Sequence, residues 1–191
     1  ERGMKLLLAR HGETDWNARG QIQGQSDPGL NETGRAQARA LARRLEETGV
    51  PLRRLYTSPQ KRSAETAAIV GACLGIEAEA VEGLREICFG VWEGHCWEEI
   101  AALWPHSYEA YAADRLRSRP PEGESYAELL ERALPALRKI AAGEGSALVV
   151  AHSAVIKAVL CHLDGADFRQ INRLYPLGNA DWVSLDGDRF L

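Results

Sequence analysis

Two kinds of hydrophobic pattern alternate along the chain. Short unbroken apolar runs at residues 5–9 and 147–151 have the pattern of strands buried on both faces. Residues 54–57 and 77–81 read as two further short strands, and 181–185 as a last one. Between them lie segments with helical periodicity. Asn31 is a plausible N-cap for a helix to about Thr48, with Ala38, Leu41 and Leu45 on one face and Gly49 as a stop. Ser58-Pro59 reads as a helix start, serine at the cap and proline at the first helical position, with the helix running to Leu74 and Gly75 ending it. Ser125-Tyr126-Ala127-Glu128 is a capping box. The helix it opens carries Leu130, Leu134, Leu137 and Ile140 on one face, with Pro135 expected to kink it. A helix from Ala154 to Leu163 ends at Gly165.

Strands alternating with helices predict an α/β fold: a three-layer α/β/α sandwich around a mostly parallel central sheet. Two stretches break the alternation. Residues 12–30 are polar and glycine-rich, and a loop that long inside a compact domain is usually functional. Residues 83–123 hold Trp92, Trp97, Trp104 and three prolines, and read as a helical insertion over the active-site end of the sheet. The expected organisation is one domain over 4–191. Met4 reads as the natural start, and residues 1–3 as a remnant of the expression vector.

Composition narrows the class. The chain has 191 residues, 45% hydrophobic and 26% charged, which excludes disorder, collagen-like repeats and disulfide miniproteins. The net charge of −4 gives no reason to expect nucleic-acid or membrane binding. No apolar run approaches the roughly 20 residues of a membrane span. Cys73, Cys88, Cys96 and Cys161 form no Cys-x-x-Cys pair and read as reduced, mostly buried thiols of a cytoplasmic protein. His95 beside Cys96 is a poor metal site, because adjacent residues rarely share one ion.

The candidate chemistry follows from strand placement. Ligands of open parallel sheets bind at the carboxyl ends of the strands. Arg10 and His11 follow the first strand, Ser58 and then Arg62 the second, and His152 the strand at 147–151. Arginine forks match phosphate oxygens, and a helix N-terminus behind His152 adds about half a positive charge. Such a cluster suits a dianionic phosphoryl group. A neutral histidine is also a competent nucleophile, so attack by His11 on phosphorus would give a phosphohistidine. Arg115, Arg117 and Arg119 form a basic run that reads as a solvated face, or as a steering element at the pocket mouth. His95, His106 and His162 read as surface or core residues, and the tryptophans of the insertion as core and pocket wall.

Four motifs in order resemble those of the histidine phosphatase superfamily, also called phosphoglycerate-mutase-like. They are Arg10-His11-Gly12-Glu13-Thr14; Thr57-Ser58-Pro59-Gln60-Lys61-Arg62 followed by Glu65-Thr66-Ala67; Leu84-Arg85-Glu86-Ile87-Cys88-Phe89-Gly90-Val91-Trp92-Glu93-Gly94; and Val149-Val150-Ala151-His152-Ser153. The resemblance implies that His11 becomes phosphorylated and that Arg10, Arg62 and His152 hold the phosphoryl oxygens. It implies that Glu86 protonates the leaving alcohol and then serves as base. It places Asn17 at the phosphate and Gln23 and Gly24 at the substrate. Ser153 stands where many members have glycine; its backbone N–H is unaffected, so it is kept among the substrate-binding residues. No metal or cofactor is implied.

The expected activity is that of a phosphomonoesterase acting on a small phosphorylated metabolite. The chain also admits a homodimer. The alternatives are a phosphoglycerate mutase, for which the chain looks short, and a phosphate-ester-binding module without turnover. A serine hydrolase built on Ser153 lacks the Gly-x-Ser-x-Gly elbow.

Overall fold

A computed structural model describes residues 3–191 of the chain, so Glu1 and Arg2 of the expected remnant lie outside the described residues. The sheet has five strands: β1 (Lys5–Arg10), β2 (Leu52–Thr57), β3 (Ala78–Ala80), β4 (Ser146–Ala151) and β5 (Trp182–Asp186), in the order β3-β2-β4-β1-β5. The first four are parallel, and β5 pairs antiparallel with β1 at one edge.

The apolar runs form strands because alternate side chains enter two separate cores. Leu6, Leu8, Ala147 and Val149 face one. Leu7, Ala9, Leu148 and Val150 face the other. Helices α2 (Glu32–Glu47) and α3 (Lys61–Leu74) cover the second core, through Leu41, Leu45, Ala67 and Val70. Helices α6 (Tyr126–Ala141) and α7 (Ser153–Asp164) cover the first. The three-layer arrangement is therefore the one the pattern implied.

The caps at Asn31 and Ser125 form as expected. Asn31 Oδ1 accepts from Gly34 N–H at 2.8 Å, and the Ser125/Glu128 box closes both ways. Helix α6 runs through Pro135 as one element. Helix α3 starts later than its local signal. Its cap is Gln60, not Ser58, and Pro59 lies outside it. Ser58 Oγ is held by His152 Nε2 at 2.8 Å, and the Lys61 N–H goes instead to Asp27 Oδ1 at 2.7 Å. The long polar loop contains a short helix the pattern did not show, α1 (Asp15–Ala18), closed by a capping box from Thr14 and Asn17.

The insertion contributes two 3₁₀ turns and helices α4 (Trp97–Leu103) and α5 (Pro105–Ala113). It extends the first core with Ile87, Trp92, Ile100 and Tyr111. Beyond α7, a short helix α8 (Ile171–Leu174) closes over the same end. The cysteines are all unpaired, but only Cys161 is buried; Cys73 is exposed and Cys88 and Cys96 intermediate. The expectation of mostly buried thiols is corrected, because three of the four sit on outward-facing positions of α3 and the insertion. Among the described residues no helix is long and apolar enough to cross a membrane.

Candidate active site

Register brings the strand ends together. Arg10 is level with Ala151, and Thr57 with Val150. The chain then leaves β1 and β2 while still bonded to β4: His11 N–H reaches Ala151 O at 3.1 Å, and Ser58 N–H reaches Val150 O at 3.1 Å. His11, Ser58 and His152 are thereby fixed at one edge. The loop carrying His11 lies against the first turn of α2 so closely that a Cβ on Gly12 would come within 2.5 Å of Gly34 O.

A cavity of about 430 Å³ opens at this edge, a size suited to a small metabolite. Arg10, His11, Arg62 and Glu86 line it, with Asn17, Gln23 and Ser153. The His11 ring is buried. Its Nδ1 lies 2.6 Å from Gly12 O. A carbonyl only accepts, so Nδ1 carries the proton and Nε2 keeps its lone pair. Burial first, then Arg62 and Arg10, hold its pKa well below 6.5, so the ring is neutral at ordinary pH.

The two arginines are oriented by backbone carbonyls. Arg62, on the first turn of α3, is 1% exposed. It donates from Nη1 to Ser26 O at 2.8 Å and from Nη2 to Gly24 O at 2.7 Å. Burial lowers its pKa to about 10, which leaves it charged. Arg10 donates from Nη1 to Leu177 O at 2.7 Å. In both, Nε is buried without a partner. Unsatisfied buried donors are costly, and both arginines that carry them line the cavity.

His152, at the cap of α7, is fully buried behind the cavity, its ring centroid 5.3 Å from that of His11. Ser58 Oγ, 2.8 Å from His152 Nε2, also takes the Gln60 N–H at 3.3 Å. The other ring nitrogen of His152, Nδ1, is buried and unpartnered. Its pKa is also held well below 6.5, by burial first and then Arg62.

Glu86 comes from the start of the insertion. Its Oε1 accepts from Ile87 N–H at 2.8 Å and its Oε2 from Ala154 N–H, at the start of α7, at 3.2 Å. Burial outweighs these bonds and the nearby arginines and raises its pKa above 4.5. Its backbone is gripped on both sides: the N–H by Gln60 Oε1 at 2.7 Å, the carbonyl by Gln25 Nε2 at 2.8 Å and Arg132 Nη2 at 3.0 Å.

Of the loop residues, Asn17 Oδ1 accepts from Thr14 N–H and Asn179 Nδ2, which turns the amide nitrogen the other way. Gln23 Oε1 accepts from Thr14 Oγ1 at 2.6 Å on the wall. Gly24 lies behind the cavity and acts through its carbonyl, which holds Arg62 and Gln60 Nε2. From the insertion, Phe89, Trp97 and Arg115 reach the cavity. Trp92 is fully buried core. Trp104 packs against the core and His95. His95 pairs with Glu99 one turn on. His106 and His162 are exposed. Of the basic run only Arg115 lines the cavity; Arg117 is exposed and Arg119 pairs with Glu128.

Sequence reading missed Gln60, Gln25 and Arg132, whose contacts span 26 to 61 residues and leave no local trace. It also missed Lys157 and Asn172 on the wall. Lys157 had a signal: it lies one helical turn after Ser153, on the same face.

The comparisons agree with this geometry. The sequence model of the histidine phosphatase superfamily (branch 1) matches residues 6–189. A metal-independent phosphoserine phosphatase from Arabidopsis thaliana is 37% identical over 167 residues, 85% of this chain and 69% of that protein. The human 6-phosphofructo-2-kinase/fructose-2,6-bisphosphatase 1 is 36% identical over 82% of this chain, which spans 32% of that longer protein. Among solved structures, a mycobacterial glucosyl-3-phosphoglycerate phosphatase superposes with a TM-score of 0.83 at 30% identity, covering 95% of this chain and 90% of that one. A phosphoserine phosphatase from Entamoeba histolytica, bound to 3-phosphoglyceric acid, has a TM-score of 0.83 at 29% identity, covering 95% and 89%. The family model spans nearly all of the chain and the four motifs meet at one strand edge, so the protein belongs to the histidine phosphatase superfamily, branch 1.

Proposed function

We propose that the protein hydrolyses a small phosphorylated metabolite through a phosphohistidine at His11. The observation that carries the reading is the state of that ring. Its Nδ1 proton is held by Gly12 O, its Nε2 lone pair is free, and it is neutral beside two arginines with unpaired donors. His11 Nε2 attacks phosphorus while the bond from phosphorus to the leaving alcohol oxygen breaks. Glu86, whose pKa is raised by burial, gives its proton to that oxygen. Water then attacks the phosphohistidine, gives a proton to the Glu86 carboxylate, and inorganic phosphate leaves. Arg10, Arg62 and His152 meet the charge that spreads over the equatorial oxygens.

The relatives named for phosphoserine and for glucosyl-3-phosphoglycerate supply the first substrates to try. The four unpaired cysteines support placing the enzyme in a reducing compartment such as the cytoplasm.

The test is to quench the enzyme during turnover of a ³²P-labelled ester. Acid-labile, base-stable label on protein and stoichiometric phosphate release are expected, and both should vanish in His11→Ala. Label that persists in His11→Ala removes His11 from its role. Rapid interconversion of 2- and 3-phosphoglycerate with little phosphate release would make the protein a mutase. No labelled protein and no release would leave a binding module.

A further inference from the structure

The last of the four motifs ends at Ser153, yet a later turn packs against both His11 and Asn17. Residues 177–181 lie between α8 and β5. Within them Ala180 is buried and sits at φ +60°, a left-handed conformation that is costly for an L side chain. The bonds around it impose that conformation. Ala180 N–H lies 3.1 Å from both Arg10 O and His11 O, and Ala180 O accepts from Arg44 Nη2 at 2.7 Å. Arg10 N–H donates to Asp181 O at 2.9 Å, and Gly178 N–H to Asp181 Oδ2 at 2.8 Å. A strained residue persists only where its neighbours over-determine it. Here the neighbour is the strand end that delivers His11.

Asn179 stands at the centre of this turn, and its half-buried amide uses both protons of Nδ2. One goes to His11 O at 3.2 Å and the other to Asn17 Oδ1 at 3.3 Å. The Asn17 oxygen also accepts from Thr14 N–H at 3.1 Å. An amide held by its oxygen on one side presents its NH₂ on the other. Asn17 lines the cavity together with His11 and Arg10, whereas Asn179 does not. Asn179 therefore acts through its partners, and its first partner is the backbone of the nucleophile itself.

We propose that Asn179 is a positioning residue: it carries the fixed level of the His11 backbone over to Asn17, so that the Asn17 NH₂ stands as a donor to the phosphoryl group that the His11 ring attacks. This rests on the phosphatase reading and adds to it a residue outside the four motifs. Without the Asn179 NH₂, Thr14 alone holds the Asn17 oxygen. The Asn17 amide is then freer to turn that oxygen, an acceptor, toward the anion, where it repels rather than binds.

The test follows the affinity for inorganic phosphate. It is measured as a Ki against p-nitrophenyl phosphate hydrolysis and by calorimetric titration, which needs no turnover. Asn179→Ala removes the donor, and Asn179→Leu removes it while keeping the bulk of the side chain. Each should weaken phosphate binding about tenfold, the worth of one hydrogen bond. Asn17→Ala should weaken it at least as much. Adding either Asn179 substitution to Asn17→Ala should change the affinity by less than about twofold, because Asn179 then has nothing to aim. A residue that only stabilises the turn would instead weaken phosphate by the same factor in both backgrounds. That additive result overturns the proposal. So does a change under about twofold with Asn17 intact, even if the melting temperature falls. If p-nitrophenyl phosphate is not hydrolysed at all, the phosphatase reading fails, while the titration still decides whether Asn179 acts through Asn17.

Discussion

Replacing Glu93 tests how the proposed phosphoryl site is held open, because this carboxylate does not line the cavity. Its Oε1 accepts from Ser26 N–H at 2.9 Å and Ser26 Oγ at 2.7 Å. Its Oε2 accepts from Gln25 N–H at 3.0 Å and Phe89 N–H at 3.1 Å. The loop so pinned aims the Gly24 and Ser26 carbonyls at the two Nη atoms of Arg62, which fixes the guanidinium and leaves Nε as the nitrogen without a partner. Hydrogen bonds to a charged group contribute about 1.5–3 kcal/mol each. Glu93 is only partly buried, and its donors can turn to water, so the low end applies. The loop keeps other ties, from Gln60 Nε2 to Gly24 O and from Lys61 N–H to Asp27. With those ties keeping most of the loop in place, the phosphate complex should lose about one such bond's worth, about 1.4 kcal/mol or tenfold. Glu93→Ala should therefore raise the Ki of inorganic phosphate and the KM of substrate about tenfold. Glu93→Gln should fall between, since its amide oxygen can keep one pair of donors while its NH₂ faces the other pair. Gly24→Ala should mimic the loss, because its new Cβ would lie 2.3 Å from Glu93 Oε2 and the residue sits at φ +51°. A lowered melting temperature with Ki changed less than twofold would show that Glu93 only stabilises the fold and that Arg62 holds its pose without the loop.

Glu86→Gln should slow hydrolysis of alkyl phosphates by about 10²–10⁴, and p-nitrophenyl phosphate far less, because a good leaving group needs little protonation; equal slowing of both would make Glu86 structural. The pH profile gives an independent check. The Glu86 pKa is raised, so its acid form is lost as pH climbs through that raised value, giving an alkaline fall; His11 is lowered, so the acid-side fall comes only below the usual histidine range. Glu86→Gln should remove the alkaline limb alone. Trp92→Ala should destabilise by about 3–5 kcal/mol in urea unfolding, since Trp92 is fully buried and meets Tyr111 edge-on at 5.2 Å; a loss under about 1 kcal/mol would mean the insertion does not depend on that cluster.

The parts of this protein that could be read from its sequence are those whose causes are local. The strands are legible because burial on both faces demands unbroken apolar runs, and the runs at β1 and β4 have no competing interpretation of that length. Strand ends then locate Arg10, His11, Arg62 and His152 without any knowledge of side-chain direction. The helix start at Ser58-Pro59 was local too, yet it is displaced, because a residue 94 positions away holds the serine hydroxyl and the Asp27 carboxylate caps the helix from another loop. The same long reach explains why the role of Gln60 is not legible, although the residue stands in the second motif. A buried glutamine on a helix cap has no pattern of its own, and its meaning lies in two bonds, to Gly24 O and to the Glu86 N–H. Those bonds tie the loop that aims Arg62 to the residue proposed as the acid. A phosphoryl site needs its donors and its acid fixed relative to one another, and here one uncharged side chain joins them. Motif spacing alone could place both ends of that link but not the link itself.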